Sequence, residues 1–234
     1  MSLVHGFLDL VFPPACQVCR SPGTFPLCTA CRYGFRLVRP PICQKCGKPL
    51  RGPDDLEFTC IPCRHRKLHF VAARAAGIYD GTLREAIHAL KFRGRRGLAA
   101  PLGSLMAERI AGARLPLAQV VIPVPLHRRR LRERGYNQSE LLAAEIANRF
   151  GLLVRSDVLV RRQATEAQSG LTLDDRRANV RGAFFAACSI DGQTVLLVDD
   201  VLSTGFTASE CARALRQAGA AQVVVLTVAI AVLD

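Results

Sequence analysis

Apolar residues along the last two thirds of the chain follow two periods, and each period predicts a different kind of element. Continuous apolar runs predict buried strands at residues 71–79, 120–124, 195–198 and 223–233. Apolar positions three or four residues apart predict helices at residues 83–92, 98–111 and 208–217, and one capped by Asn137 or Ser139 that ends near residue 150. This alternation predicts an α/β fold, in which a mostly parallel sheet carries helices on both faces.

The remaining segments carry weaker signals. A short strand is predicted near residues 154–160, and the polar stretch at residues 161–179 predicts a mobile loop. Residues 1–14 predict a short amphipathic helix, and they lack the basic start of a secretory signal. The longest apolar run, at residues 223–233, is shorter than the roughly 20 residues that a membrane span needs. We therefore expect no membrane insertion and a cytoplasmic location.

Composition agrees with a packed protein and adds a strong positive charge. Hydrophobic residues make up 50% of the 234 residues, which excludes a globally disordered chain. The formal net charge is +13, and residues 84–134 hold twelve lysines and arginines against three acids. Such a segment suits a polyanion, either a phosphorylated small molecule or nucleic acid, although a solvated basic face has the same composition.

The densest chemistry follows the predicted strand at residues 195–198, where Asp199 and Asp200 come directly after the apolar run. The loop before the next helix contains Ser203, Thr204, Gly205, Phe206 and Thr207. Backbone amides of such a loop and a helix N-terminus attract phosphate, while carboxylates accept hydrogen bonds from sugar hydroxyls. A helix cap needs only one such side chain, so two acids with three hydroxyls predict a sugar-phosphate site.

Residues 195–207 resemble the signature of the type I phosphoribosyltransferases, in which an apolar strand leads into two acids, two apolar residues and a loop of the form x-Thr-Gly-x-Thr. The resemblance implies that Asp199 and Asp200 are the catalytic acids, and that they contact the ribose hydroxyls of phosphoribosyl pyrophosphate. It also implies that the loop at residues 203–207 binds the 5′-phosphate of that ligand.

A second predicted strand end carries basic chemistry. The strand at residues 120–124 leads into Pro125, Leu126, His127 and Arg128, and more arginines follow. Because ligands of such sheets bind at the carboxyl ends of the strands, this loop is expected beside the phosphate loop. The resemblance places the pyrophosphate-binding loop here, with Arg128 and backbone amides as its ligands. His127 could act as a general base, but a lone histidine in a basic loop also suits a surface position.

Eight cysteines in the first 63 residues form four Cys-x-x-Cys pairs, which are Cys16/Cys19, Cys28/Cys31, Cys43/Cys46 and Cys60/Cys63. Two pairs complete a tetrahedral site of four thiolates, so the segment predicts two structural zinc ions on which its folding depends. Gly47, directly after Cys46, resembles the turn of a zinc-ribbon knuckle. Disulfides are disfavoured without a secretory signal, and iron–sulfur ligation is an alternative use of the same thiolates.

Two pairings of these cysteines are open. The sequential pairing places the first two pairs on one ion and the last two on the other, whereas a cross-braced pairing joins the first pair to the third. We favour the sequential pairing because each loop can then close without the other. Cys188 and Cys211 have no neighbouring partner in the sequence and are predicted to be ordinary buried residues.

Further motifs extend the resemblance over nearly the whole chain. They are residues 86–94, 102–103, 121–126, 134–138 and the polar series from Thr165 to Val180. With the cysteine pairs and residues 199–207, they are similar to the ComF family, whose members join an N-terminal cysteine ribbon to a phosphoribosyltransferase-like domain. The resemblance implies a double zinc ribbon with a short helix at residues 1–69, a phosphoribosyltransferase-like domain at residues 70–234, and a link to natural competence, the uptake of single-stranded DNA.

Two functions of different classes follow from these features. The first is a phosphoribosyltransferase that binds phosphoribosyl pyrophosphate, or a related nucleotide, with Mg²⁺ and transfers the phosphoribosyl group to an undefined acceptor. The second is an accessory protein of the competence machinery that binds single-stranded DNA through its basic surface, with the phosphate loop as a sensor or as a site for DNA phosphate. A scaffold that binds nothing at the loop is the remaining alternative.

Overall fold

The structure, a computed structural model, describes residues 13–53, 58–111, 113, 115–162, 178 and 180–232. Its strands are β1 (Ala72–Ile78), β2 (Val120–Pro123), β3 (Leu153–Val154), β4 (Leu159–Arg161), β5 (Phe184–Ala186), β6 (Thr194–Leu202) and β7 (Gln222–Ile230). Its helices are α1 (Thr29–Tyr33), α2 (Ile61–His65), α3 (Gly81–Phe92), α4 (Ala99–Ile110), α5 (Arg128–Arg134), α6 (Gln138–Phe150) and α7 (Phe206–Gln217), with a 3₁₀ turn at Arg96–Leu98.

Five strands form one parallel sheet in the order β1-β7-β6-β2-β3, which confirms the predicted fold class. Helices α3, α4 and α6 pack on one face, where Leu83, Leu102 and Leu142 are fully buried. Helix α7 covers the opposite face, with Leu215 against Leu197 in the same buried cluster. Each such side chain contributes about 1.5–3 kcal/mol through burial, so the sheet is held from both sides.

Strand β6 is longer than its apolar run. Pairing with β7 continues to Leu202↔Ile230, so the strand extends four residues beyond the predicted end at Val198. Asp199 and Asp200 therefore lie inside the strand, near its carboxyl end, and the prediction that they follow the strand was wrong. The central strand tolerates these polar residues because both line an open cleft.

Three other sequence predictions need correction. The strand expected near residues 154–160 is split, because β3 borders the main sheet whereas β4 pairs antiparallel with β5. The arginine-rich stretch after His127 forms helix α5 and not a loop. Cys188 is exposed, since it lies in a bend after β5, whereas Cys211 is buried as predicted. The predicted N-terminal helix and most of the predicted mobile segment at residues 161–179 lie outside the described residues.

The cysteine-rich segment covers the edge of the sheet at β1. Leu37 forms an antiparallel bridge with Gly77. The N–H of Val38 donates to the carbonyl of Ala76 at 3.1 Å, and the N–H of Ile78 donates to that of Arg36 at 2.7 Å. An uncovered edge strand would leave its backbone groups open to pairing with another chain.

Among the helices that the structure describes, none is long and apolar enough to cross a membrane.

Candidate functional site

Asp199 is a partly buried carboxyl group at the carboxyl end of β6. Its Oδ1 atom accepts hydrogen bonds from the Ser139 hydroxyl at 2.8 Å and from the N–H of Asp200 at 2.9 Å. Burial, followed by the charge of Asp200, raises the pKa of Asp199 to about 7. Asp199 is therefore a carboxyl group that changes its charge near neutral pH.

Asp200 has a different neighbour, a lysine of a helix. It is 3% exposed, and its Oδ1 atom lies 2.8 Å from Nζ of Lys91 on α3. Burial opposes the charge of Lys91, but the attraction of Asp200 outweighs it and raises the pKa of the lysine. The second oxygen, Oδ2, is buried and has no hydrogen-bond partner among the described residues. Asp200 is thus held by an ion pair with acceptor capacity to spare.

The loop after β6 brings the start of helix α7 to the acid pair. Gly205 has φ +79°, a left-handed conformation that glycine adopts at little cost. It precedes the first helical residue, Phe206, and its carbonyl accepts the N–H of Ser209 at 2.8 Å. The first N–H groups of a helix have no partners within the helix. This turn therefore presents a helix N-terminus, a favourable environment for phosphate, beside two carboxyl groups.

The end of β2 contributes differently from the sequence prediction. Pro125 and Leu126 line the cleft beside the acid pair, whereas His127 and Arg128 do not. His127 caps α5 by accepting the N–H of Arg129 at its Nδ1 atom, at 3.2 Å. Residues at spacing i, i+4 share a helix face, and it is Arg130 and Arg134 on α5 that reach the cleft.

One open cleft of about 870 Å³ joins these features. Of the sequence-predicted residues it is lined by Pro125, Leu126, Asp199, Asp200, Ser203, Gly205 and Thr207, whereas Thr204 and Phe206 lie away from it. Its basic residues are Lys91, Arg130, Arg134 and Arg161. Burial lowers the pKa of Arg134 and of Arg161, yet a guanidinium group stays protonated at neutral pH. The cleft therefore combines acceptors for sugar hydroxyls with cations for phosphate oxygens.

Aromatic side chains form another part of the cleft wall. The hydroxyl of Tyr79 lies 2.8 Å from Nε2 of His88, and Phe92 meets the His88 ring edge-on at 5.5 Å. Burial lowers the pKa of His88, which favours its neutral form at pH 7. The guanidinium group of Arg134 lies 5.1 Å from the centre of the Phe92 ring. This wall can contact a planar group at the mouth of the cleft.

The sequence motif at residues 134–138 has a structural role at this site. Arg134 donates to Oε1 of Gln138, and the Tyr136 hydroxyl donates to the carbonyl of Leu90. Asn137 caps α6 and also donates from Nδ2 to the carbonyl of Val124 at 3.0 Å. The motif therefore connects α3, the end of β2 and α6 through hydrogen bonds beside the cleft.

Sequence analysis missed several of the cleft residues. His88, Lys91 and Phe92 have the spacing of a single helix face, and this pattern could have identified them once the fold was known. Ser139 was considered only as a helix cap. Arg161 lies in a segment without any regular pattern, so no local signal marks it.

The eight N-terminal cysteines form two tetrads in sequential order. Cys16, Cys19, Cys28 and Cys31 make one group and Cys43, Cys46, Cys60 and Cys63 make the other, with the sulfur atoms of each group within 4.8 Å of one another. This arrangement agrees with the sequential pairing and not with the cross-braced one. Four converging thiols are the donor set of a structural zinc site, which leaves no open position for catalysis.

Local hydrogen bonds prepare each tetrad for metal. The Cys46 thiol, and after it the backbone N–H groups of Cys46, Cys60 and Lys45, lower the pKa of Cys43 to about 4 despite its burial. In the first tetrad burial raises the pKa of Cys16, but backbone N–H groups, led by that of Cys28, lower it to about 6. Because thiolates are the metal ligands, a lowered pKa at one sulfur of each tetrad favours metal binding.

Two family models match the chain. A double zinc ribbon domain matches residues 7–64, and a phosphoribosyl transferase domain matches residues 137–233. Together with the parallel sheet and the two cysteine tetrads, these matches define the class as a phosphoribosyltransferase-like domain preceded by a double zinc ribbon.

Three relatives narrow this class. The DNA utilization protein YhgH of Salmonella typhi is 33% identical over 221 residues, which cover 92% of this chain and 96% of that protein. Competence protein F of Haemophilus influenzae is 32% identical over 154 residues, 63% of this chain and 67% of that protein. Competence protein ComFC of Bacillus subtilis is 25% identical over 205 residues, 83% of this chain and 80% of that protein. The chain belongs to the ComF family.

Proposed function

We propose that the cleft binds phosphoribosyl pyrophosphate with Mg²⁺, and that the chain transfers the phosphoribosyl group from it. The observation that carries this proposal is the convergence, in one cleft, of the acid pair, the loop before α7 and four basic side chains. A ligand with a phosphate, a ribose and a pyrophosphate needs these three kinds of group. The match to a phosphoribosyl transferase domain supports the same ligand class.

The 5′-phosphate is assigned to the loop at residues 203–207. Ser203, Gly205 and Thr207 border the cleft there, and the N-terminus of α7 points its backbone N–H groups the same way. Hydroxyl and amide donors hold a phosphate without a lysine or arginine in the loop itself. The basic residues of the cleft therefore remain for the pyrophosphate end.

The ribose is assigned to the acid pair. Asp199 is the better placed of the two, since it is less buried than Asp200 and keeps acceptor capacity beyond its bonds to Ser139 and the backbone. Asp200 can accept a hydroxyl hydrogen once Lys91 turns toward the pyrophosphate. The buried Oδ2 atom of Asp200, which has no partner in the described part of the chain, supports a role in ligand binding.

The same carboxylate oxygens suit magnesium, which prefers oxygen ligands and retains several waters, and which would neutralise charge on the pyrophosphate. The chain's own contribution to the reaction is positioning and charge stabilisation. The bond from ribose C1 to the pyrophosphate oxygen breaks, and its electron pair leaves with pyrophosphate. A nitrogen or oxygen lone pair of the acceptor forms the new bond to C1, and the acceptor's proton passes to solvent. Arg130, Arg134 and Lys91 would stabilise the charge that develops on the leaving group.

Calorimetry with phosphoribosyl pyrophosphate and Mg²⁺ tests the binding. We expect the wild-type chain to bind, and Asp199→Asn to bind at least tenfold more weakly because a ribose hydroxyl loses a charged acceptor. The matched control is Asp157→Asn, which removes an exposed acid in the turn before β4. This variant should bind as the wild type does. A zinc-loaded wild-type protein that gives no binding heat at millimolar ligand would overturn the proposal.

Transfer needs its own measurement. We expect pyrophosphate release from the bound ligand to accelerate when the correct acceptor is present, in a coupled pyrophosphate assay across nitrogen and oxygen nucleophiles. If the wild-type chain releases pyrophosphate no faster than the Asp199→Asn variant with any acceptor, the chain binds the ligand but is not a transferase.

A second candidate function is binding of single-stranded DNA, and helix α5 is the observation that favours it. Its seven residues include five arginines, of which Arg128, Arg129 and Arg132 are exposed. Their side chains add to a net charge of +13. The names of the relatives, a DNA utilization protein and two competence proteins, support a connection with DNA.

A DNA titration at several salt concentrations tests this second function. A plot of log affinity against log salt concentration has a negative slope, and each lost phosphate contact reduces the magnitude of that slope by about one. Arg128→Ala/Arg132→Ala should therefore reduce the slope by about two, while Arg149→Ala, at the far end of α6, should leave it unchanged. An affinity that does not change with salt would exclude phosphate contacts.

A further inference from the structure

The second cysteine tetrad sits directly on the first strand of the sheet. The N–H of Ala73 on β1 donates to the carbonyl of Lys45 at 2.8 Å, and Arg74 donates to the carbonyl of Gln44 at 3.0 Å. Gly47 approaches so closely that a Cβ atom there would lie 2.6 Å from the carbonyl oxygen of Ala73, at a φ of +75°. The knuckle at residues 43–47 is therefore fixed against the strand.

Lys45 extends this contact to the residue before the strand. Its Nζ atom donates to the carbonyl of Phe70 and lies 5.6 Å from the centre of the Phe70 ring. Phe70 is 1% exposed, so the ring is packed on all sides. A lysine between two metal ligands thus holds a buried aromatic residue in place.

Phe70 in turn supports the phosphate loop. Two of its ring carbons lie 3.8 and 3.9 Å from the point where a Cβ atom of Gly205 would be. Beside it, the N–H of His69 donates to Oγ of Ser209 at 3.1 Å, and the guanidinium group of Arg66 lies 5.4 Å from the centre of the Phe206 ring. The segment at residues 66–70, which we call the linker, therefore contacts the loop and the first turn of α7, and it begins three residues after Cys63.

We propose that Lys45 and Phe70 are positioning residues, through which a metal-filled second tetrad holds the phosphate loop in its binding shape. The inference rests on the proposed function only in that the loop is taken to bind phosphate. The metal keeps the knuckle folded, Lys45 fixes Phe70, and Phe70 closes off the space beneath Gly205. Loss of this support lets the loop sample other conformations. A ligand that binds only the original conformation then binds more weakly, in proportion to the fraction of molecules that still have that conformation.

The first tetrad provides the contrast. Its neighbours Val18 and Leu27 pack against the core beneath α3 and α4, and Arg32 on α1 pairs with Glu108 at 3.0 Å. The contacts that the described residues give this tetrad lead to α3 and α4. The two metal sites are therefore expected to differ, with only the second coupled to the phosphate loop.

The test compares Lys45→Ala, Lys45→Arg and Arg51→Ala with the wild type. Three quantities are measured for each protein: hydrogen exchange of the amides at residues 205–209, zinc content, and affinity for phosphoribosyl pyrophosphate. We expect Lys45→Ala to retain two zinc ions while its loop amides exchange about tenfold faster and its affinity falls about tenfold, the size of one hydrogen bond from a charged donor. Lys45→Arg keeps a cationic donor and should restore both. Arg51→Ala removes an exposed charge from the same ribbon and should change neither.

The exchange measurement separates this inference from the proposed function, because it needs no ligand. A wild type that binds no phosphoribosyl pyrophosphate contradicts the function, while faster exchange in Lys45→Ala still supports the coupling. Should Lys45→Ala lose zinc, Phe70→Leu gives the same test from outside the tetrad. Loop exchange and affinity equal to wild type in a zinc-loaded Lys45→Ala or Phe70→Leu protein would overturn the proposal.

Discussion

Asp199 and Asp200 are adjacent and chemically alike, but they face different surroundings. Asp199 meets a hydroxyl group and open space, whereas Asp200 meets a lysine and is almost fully buried. A pair of this kind can divide two tasks, since the pKa of Asp199 is raised to about 7 and Asp200 is paired with Lys91. At this scale the site depends on the partner that each carboxyl group contacts.

The raised pKa of Asp199 predicts how ligand binding changes with pH. A carboxylate accepts a ribose hydroxyl better than a protonated acid does, so affinity should rise between pH 6 and 8 as Asp199 loses its proton near pH 7. Calorimetry across this range should show a smaller rise in affinity for Asp199→Asn than for the wild type. Because titration of the ligand affects both proteins equally, the difference between them is due to Asp199. Identical pH profiles for the two proteins would contradict the assignment.

The same pKa has a consequence for stability. Folding raises it from an ordinary value of 3.8 to about 7, so the folded state binds the proton more tightly than the unfolded state does. Stability should therefore fall as pH rises from about 4 to 7, and urea unfolding of Asp199→Asn should show a flatter dependence over that window. A steeper dependence in the variant would contradict the sign.

The ion pair of Lys91 with Asp200 makes a second residue-scale prediction. Lys91→Met leaves a buried carboxylate without its partner, and we expect the free energy of unfolding to drop by about 3 kcal/mol. Lys91→Met/Asp200→Asn removes both charges and should recover much of that loss. Urea unfolding of the two single variants and the double variant measures the coupling, and losses that simply add would show that the pair is not coupled.

Helices α5 and α7 mark the limits of sequence-based prediction for single elements. Helix α7 was predicted from its apolar period, and only its start differed, by two residues. Helix α5 has five arginines and no apolar stripe, so no apolar period marks it. Its Arg, Leu and Glu residues favour a helix, and His127 and Gly135 cap its two ends. The acid pair and the phosphate loop could be identified as one contiguous motif, whereas Lys91 and Arg161 reach the cleft only through packing of distant segments.

The turn before α7 makes the prediction at the element scale. Gly205→Ala puts a side chain at φ +79°, which should cost about 1–2 kcal/mol of stability and displace the loop, so ligand affinity should fall as well. Gly192→Ala has a comparable φ of +68° in the turn before β6, where a Cβ atom would meet nothing within 4 Å. It should lose similar stability and keep its affinity in calorimetry. Equal affinities for both variants would mean that the loop geometry does not matter.

For the whole molecule, the period of the apolar residues predicted the parallel sheet, and the cysteine spacing predicted two metal sites. No pattern in the sequence predicted how the cysteine-rich segment packs against the sheet. Residues 36–38 carry no strand pattern, yet they pair with β1, and Lys45 contacts Phe70 twenty-five residues further along the chain. Contacts of this kind depend on the final arrangement of both parts, which a local pattern does not contain.

This arrangement predicts the effect of metal removal on the intact protein. Without metal the tetrads lose the bonds that fold them, and the segment at residues 36–38 should then leave β1 and expose its edge. An uncovered edge strand pairs with other chains, so a chelator should release two zinc ions per chain and cause aggregation that light scattering detects. Excess zinc added with the chelator is the control and should prevent it. A metal-free protein that stays monomeric and keeps slow hydrogen exchange in β1 would show that the sheet edge is protected without the ribbons.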